Sequence, residues 1–161
     1  MSSIVGIISD THGLLRPEAI EFLSECDLIV HAGDIGTPDI LKELTAMAPT
    51  FPIRGNMDKG PWTKDLPTRD VIEVGGKFLY LIHNIEDLDL DPASAGFDAV
   101  ISGHSHQPAS YKKKGVLYFN PGSAGPKRFK KPVSIGRITI KNVRLESEII
   151  TLVPFEKTYN R

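Results

Sequence analysis

Apolar residues along this chain gather into short blocks, and most blocks run into a loop of glycine with aspartate, histidine or asparagine. Residues 4–8 (IVGII) form an unbroken apolar run, as expected of a central strand covered on both faces. That run ends in Ser9-Asp10-Thr11-His12-Gly13. Pro17 then opens a helical stretch over residues 17–26, with Ile20, Leu23 and Cys26 at helical spacing. A second strand, residues 28–30, runs into His31-Ala32-Gly33-Asp34. The spacing predicts another helix over 38–48, with Thr37 as N-cap and Pro38 in its first turn. A third strand, residues 50–53, ends in Arg54-Gly55-Asn56-Met57-Asp58. This β-α-β-α-β alternation predicts a parallel sheet with right-handed crossovers.

The second half alternates differently. Residues 71–74 and 77–82 read as a hairpin turned on Gly75-Gly76 and ending in His83-Asn84. A short strand at 98–101 ends in Ser102-Gly103-His104-Ser105-His106. Residues 110–113 and 116–119 pair across Lys114-Gly115, and strands at 134–140 and 144–152 are joined by Lys141-Asn142-Val143. Parallel units first and hairpins later predict two packed sheets with helices outside, in an order the pattern leaves open. No repeat, low-complexity tract or linker divides the chain, so residues 1–161 are expected to form one domain.

Composition narrows the function. The net charge of −1 provides no global basic field for nucleic acid or anionic lipid. The single cysteine, Cys26, excludes an intrachain disulfide and reads as a small buried apolar residue. No stretch has the look of a signal peptide, and no apolar run approaches the roughly 20 residues that cross a bilayer. The expectation is a cytoplasmic protein with no membrane partner.

The loops carry the chemistry. Asp10-Thr11-His12-Gly13, Gly33-Asp34, Gly55-Asn56-Met57-Asp58, His83-Asn84 and Gly103-His104-Ser105-His106 each follow a strand, and they contain four of the five histidines. In an open α/β sheet the loops beyond the carboxyl ends of strands converge on one crevice. Imidazole nitrogens mixed with carboxylate oxygens suit manganese, iron, zinc or nickel better than calcium or magnesium. One zinc site needs only about four ligands. Seven candidates (Asp10, His12, Asp34, Asn56, His83, His104 and His106) fit two ions sharing a carboxylate, an arrangement that activates water for displacement at phosphorus.

The order D-x-H, G-D, G-N-x-D, H, G-H-x-H resembles that of the calcineurin-like metallophosphoesterases. Asn120-Pro121-Gly122-Ser123 and the short length resemble the small bacterial and archaeal phosphodiesterase branch, to which the retromer subunit Vps29 is related. The resemblance implies an α/β fold in the form of a four-layer α-β-β-α sandwich, two mixed sheets face to face. It implies that Asp10, His12 and His106 hold one metal, that Asn56, His83 and His104 hold the second, and that Asp34 bridges. It further implies a phosphodiesterase that hydrolyses small phosphodiesters by metal-bound hydroxide, with Asp34, Asn56, Asp58 and His104 as its catalytic set. Two divalent ions are expected, manganese first, with iron, zinc or nickel as alternatives. The resemblance also implies a homodimer or homotetramer. The competing readings are a Vps29-like binding scaffold and a nuclease; the latter lacks a basic groove interleaved with aromatics.

Several residues carry plainer readings. His31 fits no ligand position and is expected to be buried near the ligands. Asp58 either hydrogen-bonds an imidazole ligand and fixes its tautomer or is a surface turn residue. Asn84 stands where the family usually has glycine, and is expected to keep a left-handed turn. Met57 stands where many relatives have histidine, and a thioether cannot protonate a leaving group. Residues 120–125 (NPGSAG) either present N–H groups to phosphate or form a rigid turn beneath the loops. Lys127, Arg128, Lys130 and Lys131 read as a solvated charge run, Lys112, Lys113 and Lys114 as a solubilising hairpin tip, and Trp62 as a packing residue.

Overall fold

In chain order the elements are β1 (Ser2–Ile8), α1 (Pro17–Leu23), β2 (Leu28–His31), α2 (Pro38–Met47), β3 (Thr50–Pro52), β4 (Arg69–Val74) and β5 (Lys77–Ile82). These are followed by α3 (Pro92–Ala95), β6 (Ala99–Ile101), β7 (Ala109–Lys113), β8 (Val116–Asn120), β9 (Ser134–Lys141) and β10 (Arg144–Thr151). They belong to a computed structural model that describes residues 2–128 and 130–152.

The strands form two mixed sheets of five, ordered β10-β9-β1-β2-β3 and β4-β5-β6-β8-β7. In the first, β1, β2 and β3 are parallel and β9 lies antiparallel to β1. In the second, β5, β6 and β8 are parallel, while β4 and β7 close the edges as hairpin partners. Side chains alternate across each strand, so Leu79 and Leu81 face inward while Tyr80 and Ile82 face outward. Val5, Ile7, Ile138, Ile72, Leu79, Ile101 and Phe119 fill the space between the sheets. Burying each such side chain is worth roughly 1.5–3 kcal/mol, and this layer fixes the facing of the sheets.

Helices α1 and α2 cover the outer face of the first sheet, burying Ala19, Leu23, Ile40 and Leu44 against Ile8, Ile29 and Ile135. The outer layer of the second sheet is thin: the one-turn α3 and a 3-10 turn at Ile85–Asp87 flank Tyr80, Ile82, Val100 and Val116. The predicted four-layer arrangement is therefore present. Trp62 packs partly buried among the α1 and α2 residues, as expected.

Three local expectations change. Helix α1 stops at Leu23, because Asp27 returns to β1, its carboxylate accepting from Ile4 N (2.7 Å) and its N–H donating to Ile4 O (2.8 Å). Cys26 consequently lies in the turn after the helix, half-buried, and burial pushes its thiol up to about 11. Thr37 does occupy the N-cap of α2 but makes no side-chain capping bond. Pro38 has already removed one of the N–H groups a cap would satisfy.

Candidate metal centre

The five loops converge as the strand pattern predicts. They leave the carboxyl ends of β1, β2, β3, β5 and β6, and both sheets deliver them to one edge of the sandwich. A short ladder locks the first two together. Asp10 N donates to Gly33 O (2.9 Å), His12 N to Asp34 O (3.0 Å) and Gly13 N to Ile35 O (2.8 Å). Gly33 has φ +105°, and a side chain there would run into the His83 ring. Gly103 packs against Ser9 and Asp10, where a Cβ has no room.

Asp10, His12, Asp34, His104 and His106 all adopt the left-handed region, with φ between 47° and 72°. For residues other than glycine this conformation costs on the order of 1–3 kcal/mol each and persists only where the surroundings impose it. Here it turns five polar side chains back toward one point. His104 and His106 leave the same loop in different directions, as the loop reading requires.

Two clusters result, each with ligand atoms within 4.8 Å of one another: Asp10, His12 and His106, and Asp34, His83 and His104. Asp34 Oδ2 stands 3.3 Å from His83 Nε2 and 3.8 Å from His12 Nε2, so it lies between the clusters. Asn56 Oδ1 is 3.1 Å from His83 Nε2 and 3.3 Å from His104 Nδ1, which adds it to the second group. Asp10 Oδ1 faces imidazole nitrogens of His106, His12 and His83 at 3.4, 3.9 and 3.9 Å.

The donor set fits a cation. Ligand atoms around one ion at roughly 2.1 Å stand roughly 3–4 Å apart, the spacing seen here. Asp10 Oδ1 and His12 Nε2 are buried with no hydrogen-bond partner, an arrangement costly for a neutral cluster and natural for metal ligands. Burial alone would lower the pKa of His83, but its bond with Asp34, the Ala32 carbonyl and the Asp10 charge outweigh it and leave it raised. Burial would raise Asp34; its bonds with His83 and Met57 N hold it below the usual carboxylate range instead. The pocket draws positive charge.

His83 is better supported than its single-residue motif suggests. Its Nδ1 donates to Ala32 O at 2.6 Å, which selects the tautomer with Nε2 free for a metal. Asn84 departs from expectation: its φ is −115°, and it caps the 3-10 turn by accepting from Glu86 N at 3.0 Å. The position makes no left-handed demand, so the missing glycine costs nothing.

Asp58 answers to neither of its readings. It is buried, and its carboxylate accepts four backbone N–H groups: Asp34 (2.9 Å), Gly55 (2.8 Å), Ile35 (2.8 Å) and Gly36 (3.1 Å). It reaches no imidazole; it pins the Asp34 loop to the Asn56 loop. Nothing in the sequence shows this directly, because backbone donors leave no residue signature.

His31 is fully buried and neutral. Its Nδ1 accepts from Gly33 N (3.1 Å), so Nε2 donates to Thr11 Oγ1 (2.9 Å), which passes its own proton to Ile35 O (2.7 Å). Burial pushes its pKa down to about 3. The NPGSAG segment is a rigid turn beneath the loops: Asn120 Nδ2 donates to Gly103 O (3.0 Å), and Ser123 Oγ donates to Asp10 O (3.0 Å). Lys131 donates to Ser105 O at 2.8 Å, so this lysine braces the histidine loop rather than standing in solvent. Met57 is 59% exposed, and its backbone N–H donates to Asp34 Oδ1 (2.8 Å). The sequence reading missed Ser9, whose hydroxyl orients Asp10 Oδ2 at 2.6 Å, and Arg54, which lines the cavity beside Asn56.

The chain is similar to known proteins in sequence and in fold. Residues 4–143 match the calcineurin-like phosphoesterase superfamily domain. A probable metallophosphoesterase of Methanothermobacter thermautotrophicus is 35% identical over 91% of both chains. The fold matches an archaeal phosphodiesterase structure with TM-score 0.77 and 26% identity, covering 92% of this chain and 99% of that one. It also matches a zinc complex of Vps29 from Entamoeba histolytica, with TM-score 0.69 and 18% identity over 92% and 99% of the two chains.

Proposed function

This chain belongs to the calcineurin-like phosphoesterase superfamily, and from that premise we propose that it is a phosphodiesterase working with two divalent metal ions. That it is a metal-binding phosphoesterase follows from the family; the ion count and the diester substrate are the proposal. The observation that carries it is Asp34, set between two ligand clusters with an oxygen 3.8 Å from His12 and 3.3 Å from His83.

Asp10, His12 and His106 would hold one ion, and Asn56, His83 and His104 the other, with Asp34 shared. When bound, the two ions supply an activated water and neutralise charge building on the phosphoryl oxygens. The chain's own residues hold that geometry. Ser9 and the His104 N–H both donate to Asp10 Oδ2, leaving Oδ1 directed at the histidines. The Ala32 carbonyl orients His83. Manganese is the expected ion, with iron, zinc or nickel as alternatives.

Protonation of the leaving oxygen is where this chain is weak. Met57 has no proton to give, so diesters with acidic leaving groups are its best substrates. A small diester fits better than a nucleic acid, because Trp62 packs against the helices and not at the site. A pure binding scaffold would need none of the seven ligand-type side chains that converge here. Hydrolysis of bis(p-nitrophenyl) phosphate with Mn²⁺ tests the reading. Asp34→Asn, which weakens hold on both ions, is expected to lower the rate at least about 100-fold, as several kcal/mol of transition-state stabilisation is lost. Full activity in Asp34→Asn or His104→Ala would overturn it.

A further inference from the structure

A cavity of about 550 Å³ opens beside the second ligand group, within the range of small-molecule sites. Asn56, His83 and His104 line it, together with Arg54 and Lys59. Arg54 is held in place. Its backbone N–H donates to Pro67 O (2.7 Å) and its Nε donates to Asp58 O (3.1 Å), on the loop that Asp58 itself pins. Nη1 and Nη2 engage no other described residue, and neither does the Lys59 ammonium.

Arg69, also in the lining, is already committed: it donates to Asp89 Oδ1 (2.8 Å) and Asp87 O (2.9 Å). The lining carboxylates are Asp58, saturated by backbone N–H groups, and Asp87. With Arg69 engaged and Asp58 saturated, Arg54 and Lys59 outnumber Asp87, so the charge left in the lining is net positive. The cavity has no aromatic ring besides the imidazoles of His83 and His104, so it does not read a base by stacking.

The reacting phosphoryl group belongs at the ligand clusters, and Arg54 belongs to the cavity beyond the second. We propose that this cavity is a subsite for a second anionic group, carboxylate or phosphate, on the diester arm that leaves the site past Asn56 and His104. Arg54 meets it with two free N–H arms, the fork that suits bidentate recognition, and Lys59 adds a second charge. The inference rests on the phosphodiesterase reading above.

Three p-nitrophenyl phosphodiesters with one leaving group and different second arms test it: ethyl, carboxymethyl and 2-phosphoethyl. The manganese-loaded protein should prefer one or both anionic arms over ethyl by about tenfold or more in kcat/KM, mostly through KM. In Arg54→Gln that ratio should fall to near one. Equal loss on all three esters would assign Arg54 a purely structural role and overturn the proposal, as would a wild type with no preference. Calorimetry separates this from failure of the phosphodiesterase reading. Even without turnover, 2-carboxyethylphosphonate should bind about tenfold tighter than ethylphosphonate to the wild type and no tighter to Arg54→Gln. Equal binding to the wild type would overturn the subsite.

Discussion

Replacing Asp58 by asparagine tests whether the metal loops depend on one buried carboxylate. Oδ1 accepts from Ile35 N and Gly36 N, and Oδ2 from Asp34 N and Gly55 N. An amide keeps one oxygen and points an NH₂ at the other two donors, so two buried N–H groups lose their acceptor and face a donor. At roughly 1–3 kcal/mol for each unsatisfied group, the loss is about 4 kcal/mol. For a chain of this length that corresponds to a fall in Tm of about 8–16 °C. The same change loosens the backbone at Asp34 or at Gly55, the neighbour of Asn56, so metal affinity should drop about 10–100-fold, the range for groups that orient ligands. Thermal unfolding of the metal-free protein reads the first effect, and a metal titration followed by calorimetry reads the second. If Asp58→Asn unfolds within about 2 °C of the wild type and binds metal as tightly, the account of Asp58 is wrong.

Met57→His places a proton donor on an exposed position whose backbone bond to Asp34 survives the change. Hydrolysis of diesters with alkyl leaving groups should rise by about tenfold or more, up to the about 10²–10⁴ that general acid help supplies, while p-nitrophenyl esters change little. An unchanged rate on alkyl esters would refute the missing-donor explanation. His31 stays neutral in the folded chain from about 6.5 down to about 3, because burial outweighs the pull of the Asp10 charge, whereas the unfolded chain takes up its proton over that range. Its contribution to stability is therefore complete above about pH 6.5 and falls by on the order of 1.4 kcal/mol per pH unit below it. Urea unfolding of metal-free wild type and His31→Gln should show a stability gap that narrows from pH 7 to pH 5; a constant gap would contradict the assignment.

The convergence of the candidate residues was legible because each follows within a few residues of a strand whose apolar run marks its end, and because carboxylate, imidazole and glycine recur there in a set order. The sheets were legible through the same alternation, down to the Gly75-Gly76 hairpin between β4 and β5. Strand order was not, since β9 crosses back to lie against β1 and pairing partners leave no local pattern. Backbone-directed roles were also hidden. Asp58 looks like any turn aspartate until its four N–H partners are seen, and Asn84 looks like a glycine substitute until its φ shows an extended residue. Arg54 precedes the Gly55-Asn56 motif, and no local pattern shows that it lines a cavity.

Two ions sharing Asp34 are the centre of this account, and metal stoichiometry tests them most directly. Mn²⁺ is titrated into metal-free protein while hydrolysis of bis(p-nitrophenyl) phosphate and bound metal are followed together. The account predicts that activity and binding both reach their plateau at two equivalents per chain. A plateau at one equivalent, or full occupancy with no hydrolysis, would contradict it.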